Sequence, residues 1–129
     1  MKRRLFAIST VVIGLSIVSV PMFAHHGWSL YDGTKTLSIS GTVSDFEFVN
    51  PHVQVFFDVR DDKGKIENWV GEATSPNILI RNGVRKNTLK SGDRVTAIGH
   101  PARNGSYTIL IEKIMLSNGK EVVFETNGF

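Results

Sequence analysis

Ser75-Pro76-Asn77-Ile78-Leu79-Ile80-Arg81-Asn82-Gly83 is the one stretch of this chain that reads as a helix. Ser75 suits the capping position, Pro76 the first helical residue and Gly83 the left-handed residue that ends a helix. Ile78, Leu79 and Arg81 fill about two turns between them. The segments on either side alternate apolar and polar residues with a period of two, which is the pattern of strands. A single short helix inside a β protein therefore sets the problem.

Upstream, Leu37, Ile39, Gly41 and Val43 alternate with Ser38, Ser40 and Thr42. The apolar phase then moves to Phe46 and Phe48, one residue out of step near Asp45, as a β-bulge produces. Val49-Asn50-Pro51-His52 breaks this first strand. From His52 to Val59, the residues Val53, Val55, Phe57 and Val59 take one face and Gln54, Phe56 and Asp58 the other. Asp61-Asp62-Lys63-Gly64 reads as a hairpin turn, and a third strand runs from Lys65 to Glu72. Downstream of the helix, Thr88–Asp93 loops into a fourth strand over Arg94–Gly99. A fifth covers Tyr107–Leu116, and Asn118-Gly119 turns the chain into a short sixth at Val122–Phe124.

Three strands, a helix and two more strands, with the first strand bent, is the element order of an oligonucleotide/oligosaccharide-binding (OB) fold. The expected class is all-β with one short helix, a small OB-fold-like Greek-key β-barrel over residues 37–129. An SH3-like or other small barrel is the competitor.

The N-terminus carries a different message. Lys2, Arg3 and Arg4 precede Leu5–Val20, which holds no charge, and Pro21 and Ala24 follow. That is the three-part pattern of a secretory signal, and the apolar run is shorter than the roughly 20 residues of a spanning helix. Residues 1–24 are read as a signal peptide cleaved after Ala24, with 25–36 as a lead-in to the barrel. A periplasmic or secreted location follows, with membrane contact only through an uncleaved signal. The chain has no cysteine, so neither a lipidated cysteine nor a disulfide framework is available. Cleavage removes three of the 15 basic residues and none of the 12 acidic ones, leaving the rest formally neutral. The basic character of the whole chain thus gives no reason to expect a nucleic-acid partner.

All four histidines fall in the lead-in or in predicted loops. Cleavage after Ala24 would leave His25-His26-Gly27-Trp28, in which an α-amine and two imidazoles offer three nitrogen donors. Copper(II) and nickel(II) favour such nitrogen sets. His52 follows Asn50-Pro51, and His100 lies in Gly99-His100-Pro101, both in loops that border the ligand face of the proposed fold. The candidate metal ligands are His25, His26, His52 and His100, with copper favoured. Taken singly, each histidine has a plainer account as a solvated loop residue or a partner of a turn carbonyl, because no close-spaced ligand motif is present. Asp32 and Glu72 could act as hard ligands or orient an imidazole, and for Glu72 a helix-capping charge is the plainer account. Phe56 and Trp69 are candidates for a ligand face with Trp28 and Tyr107 beside them, against a simpler core or half-buried role. Enzyme templates find no support, since there is no cysteine nucleophile, Gly-x-Ser-x-Gly elbow or phosphate-cradling glycine loop.

Several short motifs recur in order: Ala24-His25-His26, Tyr31-Asp32, Gly41-x-Val43, Asn50-Pro51-His52, Trp69-x-x-Glu72, Ser75-Pro76-x-x-Leu79, Gly92-Asp93-x-Val95 and Gly99-x-Pro101-Ala102. In these the chain resembles a family of small exported bacterial proteins, a domain of unknown function. The resemblance spans the chain after the signal and implies an exported small β-barrel, with no activity attached. The functional expectation is an exported binding module that holds a transition metal through these histidines. The alternatives are a metal-independent module for a small ligand or protein, and a copper-dependent oxidative enzyme.

Overall fold

The computed structural model of the chain describes residues 26–124, with His26 described by its backbone alone. The expected signal segment, its cleavage site, His25 and residues 125–129 lie outside the described residues. A short helix, α1 (His26–Ser29), precedes strands β1 (Leu37–Glu47), β2 (Gln54–Arg60) and β3 (Ile66–Glu72). Helix α2 (Pro76–Arg81) leads into β4 (Arg94–Pro101), β5 (Thr108–Leu116) and β6 (Glu121–Val123). The strands form one sheet in the order β3-β2-β1-β4-β5-β6, and a parallel pairing of β3 with β5 closes the first five into a barrel. This is the small OB-like barrel that the element order predicts, with β6 added to β5. No helix among the described residues is long and apolar enough to cross a membrane.

β1 bends where the sequence phase breaks. Val43 faces Phe57 while Asp45 faces Phe56, so Ser44 is an extra residue on β1 and forms a bulge. Before the bulge, Ile39 and Val43 point into the core; after it, Phe46 and Phe48 pack against the same core. The bend lets one strand pair with β4 through its first half and with β2 through its second. Val53, Val55 and Phe57 of the second apolar run are buried, as their alternation requires.

α2 plugs the barrel between β3 and β4. Leu79 is fully buried with Val84, and Pro76 is buried at the helix start. Burying a side chain of Leu79's size is worth about 1.5–3 kcal/mol. Ser75 occupies the capping position in extended conformation, but its side chain makes no capping hydrogen bond. Its carbonyl accepts from Ile78 and Leu79 instead. Gly83 ends the segment with φ +84°, the left-handed conformation expected of it.

The structure departs from the sequence reading in two places that matter for function. The lead-in, which shows no sequence periodicity, contains α1 and then runs as a strap along the β4–β5 connection. Tyr31 bridges to Ala102, the Asp32 amide donates to the Pro101 carbonyl, and the Arg103 amide donates to Leu30. Secondly, β4 continues through Pro101, so His100 is a buried strand residue rather than part of a loop. The extension is held by a second bulge. Ile98 faces Lys113 and Gly99 faces Ile111, leaving Glu112 as the extra residue on β5.

Candidate functional site

Glu72 closes β3 and belongs to two ladders at once, facing Gln54 on β2 and Leu110 on β5. Its carboxylate is therefore fixed by the barrel itself. It does not cap α2, which was the plainer reading. Oε1 lies 2.7 Å from Nδ1 of His52, and Oε2 accepts the Tyr31 hydroxyl at 2.5 Å. A carboxylate can only accept, so Nδ1 of His52 carries the proton, and in the neutral ring the other nitrogen, Nε2, is the one with the lone pair. That nitrogen has no hydrogen-bond partner among the described residues. The His52 side chain is 42% exposed and that of Glu72 is 22% exposed, so the imidazole is tethered on one edge and open on the other.

Tyr31 is the residue that sequence reasoning left without a role. It is buried, and its phenol is pushed well above the usual tyrosine range by burial first, then by the hydrogen bond to Glu72 and its charge. It stays protonated and acts as a permanent donor that locks the far oxygen of Glu72. Its signal in the sequence was its place in the Tyr31-Asp32 motif.

α1 brings the start of the strap to the same place. Gly27, Trp28, Tyr31, His52, Glu72 and Leu110 line one narrow cleft. A Cβ placed on Gly27 would lie 3.7 Å from Cε1 of His52, so the backbone next to His26 passes the ring edge between the two nitrogens. His25 lies outside the described residues, and of His26 only the backbone is placed. Among the described residues, no group of three or more His, Asp or Glu side chains is arranged to hold a metal ion.

The remaining predicted residues are placed elsewhere. His100 has Nδ1 2.7 Å from the Lys35 carbonyl and Nε2 2.9 Å from the Glu112 carboxylate, with its side chain 8% exposed. Both ring nitrogens are engaged, so His100 fastens the strap to the barrel rather than facing the cleft. The β5 bulge makes this pairing, because Glu112 is the residue released from the ladder. Asp32 accepts from the amide and hydroxyl of Thr34 and pairs with Lys35 and Arg103. Those hydrogen bonds from Thr34, ahead of Lys35, hold its carboxyl below the usual range. It organises the strap's turn.

Trp69 packs partly against the core, and its ring lies 5.3 Å from that of Tyr107 at 40°. Its indole N–H donates to Glu67. This pair covers the part of β3 that has no β5 partner, which fits the half-buried role. Phe56 lies on the outer face of β2, in a shallow groove of about 380 Å³ with Asn68 and Trp69.

The fold and cleft together define a small OB-like barrel with a carboxylate-anchored histidine at its rim. The chain belongs to DUF6152, a family of unknown function, whose sequence profile matches residues 12–111. No curated protein matches the chain. Among solved structures it is similar to the mitochondrial single-stranded DNA binding protein Rim1 from S. cerevisiae. That likeness has 13% identity and a TM-score of 0.49, and covers 64% of this chain and 93% of that one. It is also similar to TiaS in its complex with a transfer RNA and ATP, at 23% identity, TM-score 0.44, and 66% and 18% coverage. A ZRD-deleted TiaS mutant in complex with agmatine gives 22% identity, TM-score 0.45, and 74% and 24% coverage. The chain thus spans under a quarter of the TiaS chains.

Proposed function

We propose that this chain is an exported metal-binding module in which His52 is the anchored ligand and His25 and His26 complete the donor set. Copper(II) is the metal that such imidazole and amine nitrogens suit best. The observation that carries the reading is the Glu72–His52 hydrogen bond with its geometry: proton on Nδ1, Nε2 left as the ligating nitrogen of the neutral ring, and the backbone at Gly27 beside the ring edge. A carboxylate behind an imidazole fixes its tautomer and raises its basicity, the arrangement that metal-bound histidines usually have. Cleavage after Ala24 would add the amine of His25 as a further nitrogen. His100 drops out of the ligand set, because both of its nitrogens are already bonded.

The test is to express the chain with its own signal, determine the mass of the mature protein, and measure bound metal in the same sample. One copper per chain is expected, lost in His52→Ala and in His25→Ala and kept in His100→Ala. Copper that binds equally well to the His52→Ala and His25→Ala proteins would end the proposal.

A second reading rests on Phe56. An aromatic ring on the outer face of β2, beside a groove shared with Asn68 and Trp69, suits a metal-independent contact with a small ligand or a protein. It requires that Phe56→Ala impair binding while metal removal does not.

A further inference from the structure

A larger groove, of about 710 Å³, lies at the ends of β2 and β3 remote from His52. Its floor is made by outward-facing positions of β1 and β4. Ser40 and Thr42 alternate with the inward residues Ile39, Gly41 and Val43, and Thr96 stands between the buried Val95 and Ala97. The register sets Ser40 beside Thr96, with the two hydroxyls 2.8 Å apart, and Thr42 beside Arg94. Three hydroxyls and a guanidinium therefore share one patch.

The charges around that floor are unevenly satisfied. Arg94 has no side-chain partner among the described residues. Arg60, on the opposite wall, spends one donor on the Gly64 carbonyl and keeps the rest of its fork. The carboxylate in the groove is that of Asp58, across β1 from Arg94, and it accepts from the Asn68 amide at 2.6 Å instead of pairing with either arginine. Guanidinium forks match the oxygens of phosphate, and hydroxyl donors supply the remaining hydrogen bonds. None of the residues lining the groove is aromatic, so it offers no surface on which nucleic-acid bases would stack.

We infer that this groove binds a phosphate group, gripped by Arg94 and Arg60 over the hydroxyl floor of Ser40, Thr42 and Thr96. The phosphate can be free or carried by a lipid headgroup, and the site works independently of His52.

The experiment uses metal-free protein, with inorganic phosphate as one probe and vesicles of phosphatidylcholine with or without phosphatidic acid as the other. Amide resonances of Ser40, Thr42 and Thr96 shift on titration with phosphate, and Arg94→Gln weakens that binding about tenfold, the loss of one charge-assisted contact. Asp58→Asn strengthens it by removing the opposing charge. Cosedimentation with phosphatidic acid vesicles but no response to inorganic phosphate assigns the group to a lipid, provided Arg94→Gln abolishes it. Both probes silent, or responses unchanged in Arg94→Gln, would overturn the inference. The arginine and aspartate side chains are at the surface or its edge, so both variants fold, which their unchanged remaining spectra verify.

Discussion

Nδ1 of His52 and Oε1 of Glu72 stand 2.7 Å apart across the mouth of the barrel, and this one contact decides which face of the imidazole is offered to a ligand. Glu72→Gln tests it. An amide has one accepting and one donating end, so it can no longer accept from Tyr31 and His52 together without a rearrangement. Copper affinity should fall about 10–100-fold, the usual cost of losing such a support, while the fold persists. A competition titration against a chelator of known affinity gives the answer, and an unchanged affinity would remove Glu72 from the site.

Tyr31 predicts a dependence on alkaline pH. Its phenol titrates above its unfolded value, near 10. The folded state therefore favours the protonated form. That stabilisation is fully present below about pH 10 and is lost as pH climbs through 10 toward the folded value. Denaturant midpoints at pH 8, 10 and 11 should fall more steeply for the wild type than for Tyr31→Phe. At pH 8 the variant should be less stable by about 1 kcal/mol, one hydrogen bond.

His100 and Glu112 should behave as structural residues. His100→Ala leaves a half-buried carboxylate and the Lys35 carbonyl without this partner and empties a buried position in the barrel, and should cost about 1–3 kcal/mol. Glu112→Gln should cost less, since an amide oxygen can still accept from Nε2. Neither change should alter metal stoichiometry in the protein that remains folded. Equilibrium unfolding and metal analysis on the same samples separate this role from that of His52.

Gly99→Ala should be among the most damaging single substitutions in the barrel. A Cβ there would overlap the carbonyl oxygen of Leu110 and crowd the amide of Glu112. Backbone cannot step aside as a flexible side chain can, so a loss above about 3 kcal/mol is expected. Urea unfolding would measure it, and a loss below about 1 kcal/mol would show that the second bulge can relax.

The barrel was legible because its determinants are local. Alternation through Leu37–Val43, the phase slip before Phe46, the Asp61–Gly64 turn and the Ser75–Gly83 segment each carry their own instruction, and together they leave one element order. The candidate site was legible only in part. His52 and Glu72 could be named as chemically able residues, but they are 20 positions apart and meet because β2 and β3 pair in a given register. Tyr31 reaches Glu72 across 41 positions through the strap, and no periodicity marks a strap. His100 misled for a related reason. Gly and Pro on either side of it read as loop punctuation, whereas Gly99 is demanded by the close approach of β5, and Pro101 is the last residue of its strand.

Glu72 is also one of three β3 residues that stitch the barrel shut, with Val70 and Gly71, against Thr108, Ile109 and Leu110. The clasp and the rim carboxylate are one residue, so whatever settles on His52 also holds the seam. Occupancy should then be readable far from the ligand, as slower amide exchange at 70–72 and 108–110 and as a higher melting temperature. A barrel that opens along that line would let go of its cargo in the same motion.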